Sequence, residues 1–278
     1  MAVDRLVFKI FLDFFILACV GIPLLVLVVW AEPYHRGYFE SDESIRLPFK
    51  QQSVSETLLG VLAFAVVVIA VVVVELIRDK RGLNTVERIM CGSTCPSWVW
   101  EIYSVLGVLL FGAGCQQLTV NIGKYVLGRL RPNFYDVCRP VPNYDPVLNQ
   151  YGYIQNYTCT GNDTSLILDS RLSFPSAHSS FSMYMAVFLI CYIQVKGKWR
   201  MSKLLRHGVQ FAALMGAWYV GLSRVVEHKH HWSDVAAGFA IGASYALLVF
   251  VFVLRPKSLD GPRIWQQAAS SHQLPRPI

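Results

Sequence analysis

Apolar residues run through the chain in six long blocks, near 7–30, 56–77, 102–122, 179–195, 208–223 and 235–254, with polar stretches between them. A helix that crosses a bilayer needs about 20 largely apolar residues. The second block contains VLAFAVVVIAVVVVELI, which is apolar around the whole helix circumference and so has no polar face to turn to water. The fourth and fifth blocks are shorter and rely on flanking polar residues to reach both interfaces. The first block is too long for a signal peptide, and AEPYHRGYF after it lacks a cleavage site. The pattern predicts an all-α, polytopic membrane protein of six transmembrane helices in one bundle. One membrane domain is expected over 1–255, with a poorly ordered tail over 256–278.

Composition agrees: 54% of the 278 residues are hydrophobic and 15% are charged, against about a quarter charged in soluble domains. With six spans both termini share a side. That side collects Arg5, Lys9, the loop RDKRGLNTVER, the loop KGKWRMSKLLR and the basic tail, 15 of the 25 Lys and Arg residues. It is therefore expected to be the cytoplasm. Basic loops beside anionic lipid account for the net charge of +7, and no nucleic-acid partner is implied.

The opposite side holds the long segment 123–174 with two glycosylation sequons, at Asn156 (the preferred site) and Asn162. Cys138 and Cys159 are the only cysteines expected outside, which makes them a candidate disulfide pair in an oxidising compartment. Cys91 and Cys95 flank GST near the membrane without enough neighbours for zinc; acylation or inert thiols fit better. Lys9 and Asp13, four residues apart, are expected to pair at the interface. Gly112, Gly114, Gly238 and Gly242 mark expected helix contacts.

Three unusual stretches fall on this outer side, each at a helix end: KYVLGRLRP at 124–132, PSAHSS at 175–180 and SRVVEHKHHWSDV at 223–235. Lys124, Arg131 and Arg224 are cations suited to phosphate oxygens. Ser176 and His178 lie at a helix start, where free N–H groups and the helix dipole favour an anion. His230 and Asp234 are four apart and share a helix face, so the carboxylate can accept the ring N–H and fix the tautomer. The other ring nitrogen then keeps its lone pair for attack. The spacing in HKHH does not suit a metal site, and His228 and His231 are expected to be local polar groups.

Together these stretches resemble the signature of the type 2 phosphatidic acid phosphatase superfamily. Lys124 is followed by six residues and Arg131-Pro132, then comes Pro175-Ser176-Ala177-His178, then Ser223-Arg224, five residues, His230, three residues and Asp234. The resemblance extends to the lipid phosphate phosphatase branch through PYHRGYF, GYIQNYTC and KHHWSDV and covers roughly residues 5–255. It implies a metal-independent phosphatase with no cofactor, acting on phosphatidate, lysophosphatidate, ceramide 1-phosphate and sphingosine 1-phosphate at the outer or luminal face. It also implies roles. His230 is the nucleophile that forms a phosphohistidine, Asp234 orients it, and His178 protonates the leaving alkoxide. Lys124, Arg131, Arg224, Ser176 and the backbone at Ala177 hold the phosphoryl oxygens.

Ala177 departs from the family's glycine. A right-handed helical backbone accepts alanine there, whereas a left-handed one would cost roughly 1 kcal/mol. The alternative function is therefore a lipid-phosphate binder or transporter with lost turnover. Expected partners are lipid phosphates and the bilayer, with a homo-oligomer left open. The expected location is the plasma membrane, or an endomembrane with the site luminal and both termini cytoplasmic.

Overall fold

The computed structural model describes residues 2–83, 88–90, 93–143, 149, 151–197 and 203–256. Among these described residues six helices are long and apolar enough to cross a membrane. They are α1 (Ala2–Trp30), α2 (Glu56–Lys80), α3 (Ser97–Leu127), α6 (Ala177–Lys196), α7 (Lys203–Val226) and α8 (Trp232–Leu248), the last continued by a π-helical stretch at Val249–Leu254. The expected blocks all become helices, and α3 extends several residues past its apolar block at each end. Two short helices, α4 (Phe134–Cys138) and α5 (Thr164–Asp169), lie between α3 and α6.

α6 is the centre of the bundle and touches α2, α3, α7 and α8. Tyr184, Phe188 and Tyr192 on it are fully buried and pack with Val71, Leu109 and Phe250 from its neighbours. The polar atoms it carries into this core are paired. Tyr184 Oη donates to the Leu109 carbonyl at 2.8 Å, and Gln116 Nε2 donates to Ser180 Oγ at 2.5 Å. By contrast α1 rests mainly on α3, and its remaining surface is apolar. Phe14, Val61, Ile69 and Phe211 are likewise exposed on outward helix faces, where lipid rather than water is the matching solvent.

The close approach of α6 and α8 has a specific cause. A Cβ at Gly238 would lie 2.7 Å from the Ser176 carbonyl, and one at Gly242 would collide with the Ser180 carbonyl. Small residues four apart therefore let two backbones meet, as the sequence led us to expect. Lys9 and Asp13 find other partners: the Lys9 ammonium lies 5.3 Å from the Trp100 ring centre, and Asp13 accepts from Tyr103 Oη at 2.9 Å. Cys91 and the tail beyond residue 256 lie outside the described residues.

A compact cap covers one end of the bundle. It joins the segment between α1 and α2 to the long segment between α3 and α6. Strand β1 (Tyr38–Phe39) pairs antiparallel with β5 (Tyr153–Ile154), and β4 (Pro140–Pro142) pairs with β6 (Tyr157–Cys159). At the other end β2 (Arg88–Met90) pairs with β3 (Ser93–Cys95). A disulfide joins Cys138 to Cys159. Tyr38, Phe134 and Tyr157 form the cap's own core with Ile45, Leu130 and Ile154.

The glycine contact is testable. Gly242→Leu forces α6 and α8 apart and is expected to lower stability by about 1–3 kcal/mol. Gly60→Leu, where an added Cβ meets nothing within 4 Å, is expected to leave the thermal midpoint in detergent unchanged.

Candidate active site

The capped end gathers the three unusual stretches. α3 stops at Gly128, whose φ of 52° is left-handed and where a Cβ would strike the Tyr34 carbonyl. Glycine is required there. Lys124 lies buried in the last turn before it. The chain then runs beside the segment that precedes α6: Arg131 N donates to Ser170 O at 2.8 Å, and Ser173 N donates to Arg129 O at 3.0 Å. α6 opens at Ser176, whose hydroxyl accepts from Ser179 N at 3.4 Å and Ser179 Oγ at 2.9 Å. Ser176 thus caps its own helix. Ala177 is the first residue of α6, in right-handed conformation, so its methyl adds no backbone strain. Backbone strain at that position therefore gives no reason to expect a binder that has lost turnover.

The loop after α7 wraps around one carbonyl. Lys229 N and His230 N both donate to Arg224 O, at 3.0 and 3.3 Å. His228 takes a left-handed φ of 57°, and its Nδ1 lies 2.8 Å from Pro48 O. The three neighbouring histidines therefore have separate partners. His230 Nδ1 is 2.7 Å from Ser173 O, and His231 Nδ1 is 3.3 Å from Asp234 Oδ2.

Asp234 is wholly buried and fully engaged. Arg129 Nη1 lies 2.6 Å from Oδ1, while Ser173 Oγ at 2.5 Å and His231 N at 3.0 Å donate to Oδ2. Its distance to His230 Nδ1 is 3.8 Å. The expected direct bond is thus replaced by the Ser173 carbonyl, with Asp234 acting through its charge. The consequence for the ring is the same, because Nδ1 carries the proton and Nε2 keeps its lone pair. Burial pushes His230 down to about 3; Asp234 opposes this, and the nearby Arg131 and Lys124 charges add to it. The ring is neutral at neutral pH.

A small polar cavity of about 20 Å³ is lined by Gln52, Glu56, Arg131, Asp169, His178, Arg224, Lys229 and His230. Arg131, His178, Arg224 and His230 were expected from the sequence, and the other four were not. Arg224 Nη1 is 3.4 Å from His178 Nε2, and the other ring nitrogen of His178 faces Glu56 Oε1 at 3.7 Å. Both cavity arginines lean on acids that sequence reasoning missed: Arg131 Nη2 lies 2.6 Å from Asp169 Oδ1, and Arg224 Nη2 lies 2.7 Å from Glu227 Oε2. Glu227 is held in turn by Ser53 N and Ser53 Oγ. Arg131 Nε is buried without a hydrogen-bond partner among the described residues. Arg78, Arg171 and Arg206 also carry a buried Nε without such a partner, but of the four only Arg131 lines this cavity. Asn156 and Asn162 both lie in the cap, and neither lines this cavity.

The family model of the PAP2 superfamily matches residues 105–257, which include every one of these motifs. The chain belongs to that superfamily. A Drosophila melanogaster relative named as a putative phosphatidate phosphatase is 40% identical over 262 residues, covering 90% of this chain and 69% of its own length. Phospholipid phosphatase 2 of Mus musculus is 38% identical, with 88% of this chain and 85% of the relative covered. Phospholipid phosphatase 1 of Rattus norvegicus is 37% identical, with 87% and 83% covered. No solved structure matches the chain. The superfamily match and these relatives make the protein a multi-pass membrane phosphatase.

The buried histidine predicts a pH dependence of stability. The unfolded ring takes up a proton as pH falls through about 6.5, whereas the folded ring stays neutral to about 3. Stability from this group is complete above about pH 6.5 and about 1.4 kcal/mol lower at pH 5.5. Thermal midpoints in detergent are expected to fall less between pH 7.5 and 5.5 for His230→Gln than for the native chain.

Proposed function

We propose that the protein hydrolyses lipid phosphate monoesters, without a metal, through a phosphohistidine at His230. The supporting observation is the convergence of three distant stretches on one cavity, with two histidines and two arginines facing the same small space. His230 Nε2 attacks phosphorus as the P–O bond to the lipid breaks. His178, protonated as the phosphate dianion enters beside it and offsets the neighbouring cations, gives that proton to the departing alkoxide. Lys124, Arg131 and Arg224 take the charge that builds on the phosphoryl oxygens, a role for fixed cations in a site that excludes bulk water. Ser176 and the N–H groups opening α6 add donors at the same end. Water then attacks the phosphohistidine, with His178 now taking the proton, and inorganic phosphate leaves.

Membrane lipids fit this site because it lies where the helices meet the cap, so acyl chains can stay in the bilayer while the headgroup reaches the cavity. Phosphatidate, lysophosphatidate, ceramide 1-phosphate and sphingosine 1-phosphate are the proposed substrates; relatives named putative phosphatidate phosphatase and phospholipid phosphatase support lipid phosphates as the class. The charge asymmetry of the loops supports an extracellular or luminal site.

Two measurements test this reading. Purified protein in EDTA should release phosphate from short-chain lipid phosphates. His230→Ala should abolish release with folding intact, and His228→Ala should retain most of it. His231→Ala should also retain activity, since its bond to Asp234 that matters is made by the main chain. Equal loss in all three variants would point to a structural cluster instead. For sidedness, a glycan is expected on the cap. Asn162 is exposed, whereas Asn156 is half-buried with its side-chain oxygen accepting from Asn143 Nδ2 at 2.9 Å. The preference therefore passes to Asn162, and Asn162→Gln should remove the glycosidase-sensitive mobility shift.

A further inference from the structure

Lys229 is at none of the motif-defining positions, yet it lines both the small cavity and the larger one beside it. Only 6% of it is exposed. Its ammonium lies 4.4 Å from the Phe49 ring centre, a contact that partly replaces hydration. No carboxylate of the described residues lies within ion-pair distance of it. The nearest acids are already engaged, Asp169 by Arg131 and Glu227 by Arg224. The charges of Arg131 and Arg224 oppose it, and those of Asp169 and Glu227 favour it. Burying an ammonium on these terms is costly unless an anion completes the site.

Space gives a second, independent reason. The inner cavity, about 20 Å³, has room for about one water. A phosphoryl group bonded to His230 must extend beyond it. The inner cavity meets an outer one of about 290 Å³ lined by Phe49, Gln51, Gln52, Leu166, Asp169 and Lys229. Gln52, Asp169 and Lys229 line both. Among the described residues, Lys229 is the only cation at that junction.

We propose that Lys229 is a fourth phosphate-binding residue, which receives the substrate's phosphoryl oxygens at the junction of the two cavities and holds the released inorganic phosphate as it leaves through the outer one. The ligand class is a phosphate monoester dianion or free orthophosphate. This rests on reading the site as a phosphomonoesterase, and it adds a group that sets affinity rather than chemistry. Lysine suits that role because a point charge on a flexible stem can follow a phosphate that moves.

The test uses the full chain in detergent, with Lys229→Met keeping the stem against Phe49 and removing the charge. KM for a soluble short-chain lipid phosphate and the inhibition constants of orthovanadate and inorganic phosphate should each rise about tenfold or more, while kcat changes less than about threefold. Lys229→Arg should restore all three constants to within about threefold of native. Unchanged KM and inhibition constants would overturn the proposal, and so would a loss confined to kcat. Should Lys229→Met fail to fold, reductive methylation of the native protein decides. Saturating orthophosphate should protect Lys229 from dimethylation, and absence of protection would sink the idea. If the native chain releases no phosphate from any lipid but Lys229→Met still weakens directly measured orthophosphate binding, the enzymatic reading fails and this one stands. If native turnover is present and phosphate binding is unchanged by the substitution, the reverse holds.

Discussion

A carboxylate sealed inside a membrane protein must be surrounded by donors, and Asp234 organises the capped end by that requirement. Arg129 reaches it from the end of α3, Ser173 from the segment before α6, and His231 from the start of α8. The Asp234 carbonyl also accepts from Ser176 N at 3.1 Å, which pins the first turn of α6 against α8. One residue thereby fixes the relative positions of all three motif-bearing segments. His230 is held in the same frame through the Ser173 carbonyl, so its free nitrogen is aimed by backbone geometry as well as by charge.

The second constraint is charge balance around the cavity. Lys124, Arg131, Arg224 and Lys229 bring four positive charges to one end of the bundle, and Asp169, Glu227 and Glu56 bring three negative ones. The carboxylates do not cancel the cations evenly. Asp169 and Glu227 each grip the flank of an arginine, which locks a rotamer-rich side chain in place and leaves its remaining N–H groups for a ligand. The Glu56 side chain is 69% exposed and well solvated, so its effect is screened. The arrangement resembles a set of preorganised donors more than a row of salt bridges. That is the property which makes electrostatic stabilisation of a transition state cheap at the moment of reaction.

The sequence made the spans legible because burial in lipid demands unbroken apolar length, and made the motif residues legible because their spacing is local. His230 and Asp234 are four residues apart, and Lys124 and Arg131 seven. What stayed hidden was every contact between distant segments. The stretch 47–56 carries no motif, yet it walls the cavity with Gln52 and Glu56, binds Glu227 through Ser53, and meets His228 through the Pro48 carbonyl. Arg129 sits inside a recognised motif at a position the motif leaves free, and nothing in its spacing announces a partner 105 residues away. The predicted Lys9–Asp13 pair went wrong for the same reason: helix periodicity puts the two side by side, but Trp100 and Tyr103 of a different helix compete for them.

The two ends of the bundle show why buried charge alone does not mark a site. At the end away from the cap Glu75 is also fully buried. It accepts from Tyr192 Oη at 2.8 Å, pairs with Arg78 at 3.3 Å and Lys196 at 3.6 Å, and Lys196 continues to Glu101 at 2.8 Å. There two acids face two bases and a hydroxyl, so the charges balance within the network, which ties α2, α3 and α6 together. At the capped end Arg131 Nε has no hydrogen-bond partner among the described residues, and Lys229 rests on an aromatic ring rather than a carboxylate. The physical difference between a structural ion network and a binding site is this residue of unmet positive charge around a space. An anion is the group of matching sign to meet it, and the proposed phosphate monoester is one.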